Sequence, residues 1–300
     1  MSALTLDRRR TSMRSGGRKR RGSGNNFGGG NVFIYLIAAV VAACSLGPVL
    51  YGVISGFRTN KDLASNPSGM PNPWTFQNYL DIITGKTGTF WNSGLNSLMV
   101  ALITTTIVVV AGIMAAYPLA RYRFRFREQL YTVFVLGLLF PVAVAVVPLF
   151  IMISKDMHMG NTWWGLALPQ AAFALPTTIV ILRPFLSALP QEIEEAALID
   201  GASRIGFFWR ILLPLSGPGM VTVGVLAFVG SWNAYLLPLL LLNDPGSKTL
   251  PLGVADFSTE HSADMVGIFA YTSLAMIPAL IFFLSLQNKI VNGLQGAVKG

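Results

Sequence analysis

Residues 95–118 read LNSLMVALITTTIVVVAGIMAAYP, 24 positions without one Asp, Glu, Lys or Arg. A helix needs about 20 mainly apolar residues to cross the hydrocarbon of a bilayer, so this stretch has the length and composition of one span. Broken at every charged residue, the whole chain yields six long uncharged and mainly apolar stretches: 22–57, 87–120, 129–154, 157–182, 211–243 and 265–288. They are continuously apolar and rich in Leu, Ala and Val, without the apolar-polar alternation of a membrane β-barrel. Only 12% of the chain is charged and 53% is apolar, against about 25% charged in soluble domains. The expected fold is an all-α polytopic membrane protein. Its six transmembrane helices fall near 32–54, 95–118, 130–153, 163–183, 219–242 and 266–287.

One further uncharged stretch, Leu63 to Leu80, holds Pro67, Pro71 and Pro73 among Ser, Asn and Gln. Such a segment cannot satisfy its own backbone in lipid, so residues 55–90 read as an external loop. Trp74, Phe76, Tyr79, Phe90 and Trp91 in that loop suit an interfacial aromatic belt; docking of an external protein is the alternative.

Charge in the loops sets the orientation. Arg8, Arg9, Arg10, Arg14, Arg18, Lys19, Arg20, Arg21, Arg121, Arg123, Arg125, Arg127, Arg183, Arg204, Arg210, Lys289 and Lys299 fall on one side, 17 of the 22 cations, and Arg58, Lys61, Lys86, Lys155 and Lys248 on the other. The excess marks the cytoplasmic face, which receives both termini and the loop 184–218. The net charge of +9 is thus a statement about topology. Residues 1–30 form a basic, Arg-, Gly- and Ser-rich tail, expected to be disordered; contact with anionic lipid accounts for it better than a nucleic-acid arm. A single cysteine, Cys44, excludes an internal disulfide and a multi-cysteine metal site.

Prolines recur in the expected spans: Pro118, Pro141, Pro148, Pro169, Pro176, Pro238 and Pro278. Each removes a helix hydrogen bond and favours a kink. No Asp, Glu, Lys or Arg lies inside a span, Arg183 standing only at the end of one, which argues against a proton relay or ion path. Gln170, Thr177, Ser231, Trp232, Asn233 and Tyr235 are instead the candidate translocation path, since amides, hydroxyls and aromatic faces suit a neutral, hydroxyl-rich solute. Hydrogen bonding between helices is the competing role for each.

The cytoplasmic loop carries Pro190-Gln191-Glu192-Ile193-Glu194-Glu195-Ala196-Ala197-Leu198-Ile199-Asp200-Gly201-Ala202-Ser203. Proline at a helix start with carboxylates in the first turn suits the positive end of the dipole. Gly201 relieves the backbone at the helix end, and Ser203 can cap a second helix running through Phe207 and Phe208 to Leu212. The spacing predicts a helix, a turn and a helix. Its small residues would let another protein approach closely, and Phe207, Phe208 and Trp209 could fill or brace a pocket.

These residues carry a resemblance. The loop, with Leu182-Arg183-Pro184-Phe185 before it, Phe208-Trp209-Arg210-Ile211, Leu213-Pro214-Leu215 and Pro218 after it, and Trp232-Asn233 beyond, resembles the inner-membrane permeases of binding-protein-dependent ABC importers. Within them it is similar to the maltose-transporter-type subunits of oligosaccharide importers. Supporting segments are Ser55-Gly56-Phe57-Arg58-Thr59, Tyr117-Pro118-Leu119-Ala120-Arg121, Thr249-Leu250-Pro251-Leu252-Gly253 and Gly293-Leu294-Gln295-Gly296. Ala234 stands where the family commonly has an acidic residue, and Pro184 where it has glycine.

The resemblance implies a type I ABC importer permease fold and a subunit of an ATP-driven carbohydrate importer in the cytoplasmic (inner) membrane. It implies as partners a second permease subunit forming a heterodimer, two cytoplasmic ATPase subunits and an extracellular or periplasmic solute-binding protein. Glu194, Glu195, Ala196, Ala197, Asp200, Gly201, Ala202, Phe207 and Phe208 would then form the ATPase-coupling hairpin. No cofactor is expected on this chain. It lacks a G-x-x-x-x-G-K-[ST] phosphate loop, so ATP-Mg would sit on the partner ATPase. The alternatives are a non-sugar solute, an ion-coupled secondary carrier, disfavoured by the uncharged spans, and an intramembrane enzyme. The last lacks a constellation: His158 and His261 both fall in external loops, and His261 beside Glu260 and Asp264 reads as a solvated cluster.

Overall fold

In the computed structural model, residues 29–258 and 263–298 are described, with side chains from residue 32 to 285 outside that gap. The basic tail, Glu260 and His261 lie outside the described residues. The chain divides into two units, Met1–Gly47 and Pro48–Gly300. In the first, helix α1 (Gly29–Ser55) begins and runs apolar from Val32 onward. The end of α1 and every later helix belong to the second.

There, α2 (Asn60–Ser65) and α3 (Gln77–Ile83) stand in the stretch expected as a loop. The long α4 (Phe90–Arg121) comes next, then α5 (Arg127–Gly137), α6 (Val142–Phe150) and a π-helical turn, Ile151–Asp156. Beyond it lie α7 (Trp163–Ser187), α8 (Gln191–Ile199), α9 (Arg204–Phe207), a second π turn at Phe208–Leu212 and α10 (Leu213–Leu215). The chain ends through α11 (Gly217–Trp232), α12 (Leu236–Leu241), α13 (Leu250–Gly253) and α14 (Met265–Val298). Among the described residues, four helices are long and apolar enough to cross a membrane, and up to six if each of two bent pairs is one span.

The bends correct the expected spans. The span at 130–153 is two helices meeting at 89°. Pro141 has no N–H to donate and disfavours the helical region for the residue before it; α5 closes in a tight turn and α6 restarts with Pro141 at its cap. Pro148, by contrast, stays inside α6, and the chain widens into i→i+5 bonding after it, with Met157 N–H donating to Met152. The span at 219–242 also breaks, ahead of the proline that was expected to kink it. Helix α11 stops at Trp232, Asn233 and Ala234 are unwound, and Pro238 sits in the first turn of α12, where a missing donor costs nothing.

Helix α4 is central, packed along α7 and α11, and α11 also packs on α14. The α4–α7 seam is close: a Cβ on Gly112 would lie 2.4 Å from Thr178 Cγ2, so only glycine permits this approach.

On the side that the charge rule places outside, Arg58 organises the 55–90 segment. It is fully buried. Its Nε donates to Asp62 Oδ2 at 2.6 Å, Nη1 to the Pro67 carbonyl, and Nη2 to the carbonyls of Asp62 and Asn66. Phe57 gathers Tyr79, Phe76 and Trp74 within 4.5 to 5.9 Å between ring centres. Of the aromatics read as an interfacial belt, Trp74, Phe76 and Trp91 are exposed, whereas Phe90 is buried and Tyr79 donates to the Val53 carbonyl.

The hydrogen bond from Arg58 holds the Asp62 carboxyl below its ordinary range. A carboxylate with a depressed pKa stabilises the fold above the ordinary aspartate value, about 3.9, and that contribution fades as pH falls through the depressed one. Protease protection of the segment around residues 57–76 is therefore expected to fall below about pH 4. Asp62→Asn should weaken it at neutral pH and remove the acid dependence, which limited proteolysis across a pH series would read.

Candidate functional site

At the Arg-rich end, α8 and α9 form a hairpin. Pro190 is the residue just before α8, with φ −55° and ψ 136°, rather than its first residue, and Glu192 and Glu194 lie in the first turn. The turn is closed by backbone alone: Ala202 N–H donates to Ala197 O and Gly201 N–H to Leu198 O, the paired bonds of a Schellman C-cap. Gly201 has φ +85°, a conformation L side chains rarely adopt. Ser203 Oγ then accepts from the Gly206 N–H and caps α9.

Burial sorts the nine residues expected to meet a partner. Ala197, Phe207 and Phe208 are buried among Ile113, Ala116 and Tyr117 of α4, Leu182 and Leu186 of α7, and Val223 of α11. Glu194 also turns inward, accepting from Tyr117 Oη at 3.2 Å and lying 3.7 Å from Arg121 Nε. Ala202 is half-buried. These five hold the hairpin down, and Phe207 and Phe208 are too deep to fill a partner's pocket. Removing a buried Phe costs about 3–5 kcal/mol, so truncating Phe207 reports folding before function. Glu195, Ala196, Asp200 and Gly201 face outward. Beside them stand two residues that the sequence pattern did not single out, Ile199 at 85% and Ile205 at 73% exposure. Their signal was present: Leu189, Ile193 and Ala197 recur every four residues as the buried stripe, which leaves Glu195 and Ile199 opposite.

The path candidates separate into three places. Gln170, Ser231 and Tyr235 share a cavity of about 370 Å³ with Thr104, Val142, Phe173 and Ala234, beside the break between α11 and α12. Ser231 Oγ donates to Gln170 Oε1 at 2.5 Å, and Thr104 Oγ1 lies 3.4 Å from the same oxygen. The Gln170 amide nitrogen has no protein partner although the residue is buried. Trp232 points elsewhere: it is buried, stacks on Phe228, and its indole N–H donates to the Ala275 carbonyl. With Asn233 it borders a separate apolar cavity against α14. Thr177 is exposed and edges a third hollow with Ala174. Irregular backbone at membrane depth occurs where it lines a cavity, which agrees with the break at Asn233 and Ala234.

The family model for the binding-protein-dependent transport system inner membrane component matches residues 108–296. The chain belongs to this family. It is a multi-pass component of the inner membrane, a permease and not an enzyme. The permease is 38% identical to the trehalose transport system permease protein SugB of Mycobacterium tuberculosis, over 77% of this chain and 84% of that one. It is 36% identical to the diacetylchitobiose uptake system permease protein NgcG of Streptomyces coelicolor, over 81% and 80%. It is 33% identical to the trehalose/maltose transport system permease protein MalG of Thermococcus litoralis, over 90% and 97%. The fold matches a chain from the crystal structure of a bacterial ABC transporter involved in the import of the acidic polysaccharide alginate, with TM-score 0.72, 19% identity and 86% and 95% coverage.

No atom lies within 4 Å of a Cβ built on Gly201, so substitution there strains the backbone without a clash inside the permease. Asn tolerates the left-handed region better than a β-branched residue. Gly201→Val is expected to destabilise the hairpin by about 1–2 kcal/mol and Gly201→Asn by clearly less. Hydrogen exchange at Leu198 to Ala202 in the two variants would measure the difference.

Proposed function

We propose that this permease is the carbohydrate-translocating subunit of an ATP-driven importer. It would pair with a second permease subunit, be driven by two cytoplasmic ATPase subunits that hold ATP-Mg, and receive solute from an extracellular or periplasmic binding protein. The observation that carries this reading is the hairpin: a helix pair anchored through Ala197, Phe207 and Phe208 while Ile199, Ile205, Asp200 and Glu195 stay uncovered. Apolar side chains exposed on a rigid cytoplasmic tip suit a protein partner. Closure of the ATPase dimer would push this tip and swing the bundle between its two access states.

The solute class rests on the cavity and on the sugars named in the relatives. The cavity walls mix one amide and three hydroxyls with the rings of Phe173 and Tyr235, and carry no charged group. Amide and hydroxyl groups can pair with sugar hydroxyls, and ring faces with the C–H face of a pyranose. A neutral saccharide fits; an ion-coupled solute has nothing to couple to.

Two outcomes are expected in proteoliposomes holding the whole complex. Glu195→Lys, on the exposed face, should abolish ATP-dependent uptake while leaving membrane insertion and assembly intact; normal uptake by this variant would refute the coupling role. Gln170→Leu should raise the solute concentration needed for half-maximal uptake by about fivefold to a hundredfold, the cost of about 1–3 kcal/mol for a lost buried hydrogen bond. An unchanged concentration dependence would remove Gln170 from the path.

A further inference from the structure

Arg121, the last residue of α4, is unlike the cations beside it. Arg123 and Arg125 are exposed, whereas the Arg121 side chain retains 2% of its exposure. Its Nη1 donates to the Leu189 carbonyl at 2.8 Å and its Nη2 to the Pro190 carbonyl at 3.2 Å. Its Nε lies 3.7 Å from Glu194 Oε2. One guanidinium thus touches the linker before α8, the residue at its N-cap, and its first turn. Tyr117, one turn back on α4, donates to the other oxygen of Glu194 and shares a 2.7 Å hydrogen bond with Tyr122. The guanidinium of Arg204 on α9 lies 5.2 Å from the Tyr122 ring. Both arms of the hairpin are therefore tied to the end of α4.

The ties matter because the covalent joints are weak. Only Ala188, Leu189 and Pro190 connect α7 to α8. At the other end, the helix Arg204–Leu215 meets α11 at 73° across Ser216. A hairpin held at those joints alone would pivot when its tip is pushed.

We propose that Arg121, with Tyr117 and Glu194, is a latch that makes the hairpin and the cytoplasmic end of α4 move as one body. The inference rests on the hairpin being the ATPase contact, and it makes Arg121 a positioning residue for energy coupling. Force at Ile199 then reaches α4, the helix at the centre of the bundle, instead of being lost in rotation about the linker. A buried guanidinium suits this task because salt screens it little and its planar fork fixes direction as well as distance. Of the two adjacent glutamates, Glu194 holds the hairpin and Glu195 is left for the partner.

The test uses the complete complex with its ATPase and binding protein. In a Cys44→Ser background, spin labels at Met114→Cys on α4 and Gln191→Cys on α8, an exposed position outside the proposed ATPase contact, report their separation in nucleotide-free and ATP-trapped states. With the latch intact the separation is expected to hold within about 2 Å. A larger change between the states would overturn the proposal. Because Arg121→Gln alone leaves Glu194 unpaired and can impair folding, the double variant Arg121→Gln with Glu194→Gln is the decisive one. It should change or broaden the label separation and lower the solute moved per ATP hydrolysed by about tenfold, with Arg121→Lys falling between it and the native chain. A double variant that couples as the native chain does would overturn the latch alone. Absence of ATP-driven uptake by the native complex would overturn the proposed function and the latch with it.

Discussion

The constraint on which everything else depends is that hydrocarbon offers no hydrogen bonds. A backbone amide in lipid must find its partner within the chain, so the permease is helical wherever it meets lipid and irregular only where something else serves the freed groups. Each break obeys this. The turn after α5 is closed by bonds from Leu138, Leu139 and Phe140 to carbonyls three residues back. At the end of α11, Asn233 and Ala234 bond back to Val229 and Ser231, and the unwound segment borders a cavity. The turn at Gly201 lies at the arginine-rich end and is closed by its own two bonds. The candidate sites gather at these interruptions because uninterrupted helices present only side chains to lipid or to one another.

Packing then decides which interruptions are rigid. Helix α4 holds α7 through the Gly112 seam and anchors the hairpin through Ile113, Ala116 and Tyr117. The same helix therefore borders the cavity beside the α11–α12 break at Thr104 and the hairpin at its last residue. Cavity and hairpin are connected by one continuous helix, which is the simplest mechanical arrangement for passing a displacement between them.

The spans were legible because lipid imposes length and apolarity directly on the sequence. Their breaks were not, because proline is ambiguous. Pro141 and Pro238 look alike in the chain, yet one stands at a break and the other sits harmlessly in a first turn, while Pro148, Pro169 and Pro176 remain inside helices. The hairpin was legible from local turn chemistry at Pro190, Gly201 and Ser203. Which of its side chains turn inward was not legible there, because what buries Phe207, Phe208 and Glu194 includes Tyr117 and Arg121, which lie far earlier in the chain. Arg121 was counted as a positive-inside charge. Sequence alone does not separate a solvated arginine from one folded over a helix start. Trp232, placed on the path by its polarity, instead spends its indole N–H on a contact with α14.

The turn at Gly201 has a consequence for how such a subunit can diverge. Its shape is set by backbone bonds, by one glycine and by the Ser203 cap, and owes nothing to the side chains of Ile199, Asp200 or Ile205. Those positions are free to change without altering the hairpin's geometry. If the tip is the ATPase contact proposed above, it is in effect an interchangeable key on a fixed shaft: descendants of one permease could be matched to different motors, or to a shared one, by a few surface substitutions, while the membrane bundle evolves on its own schedule.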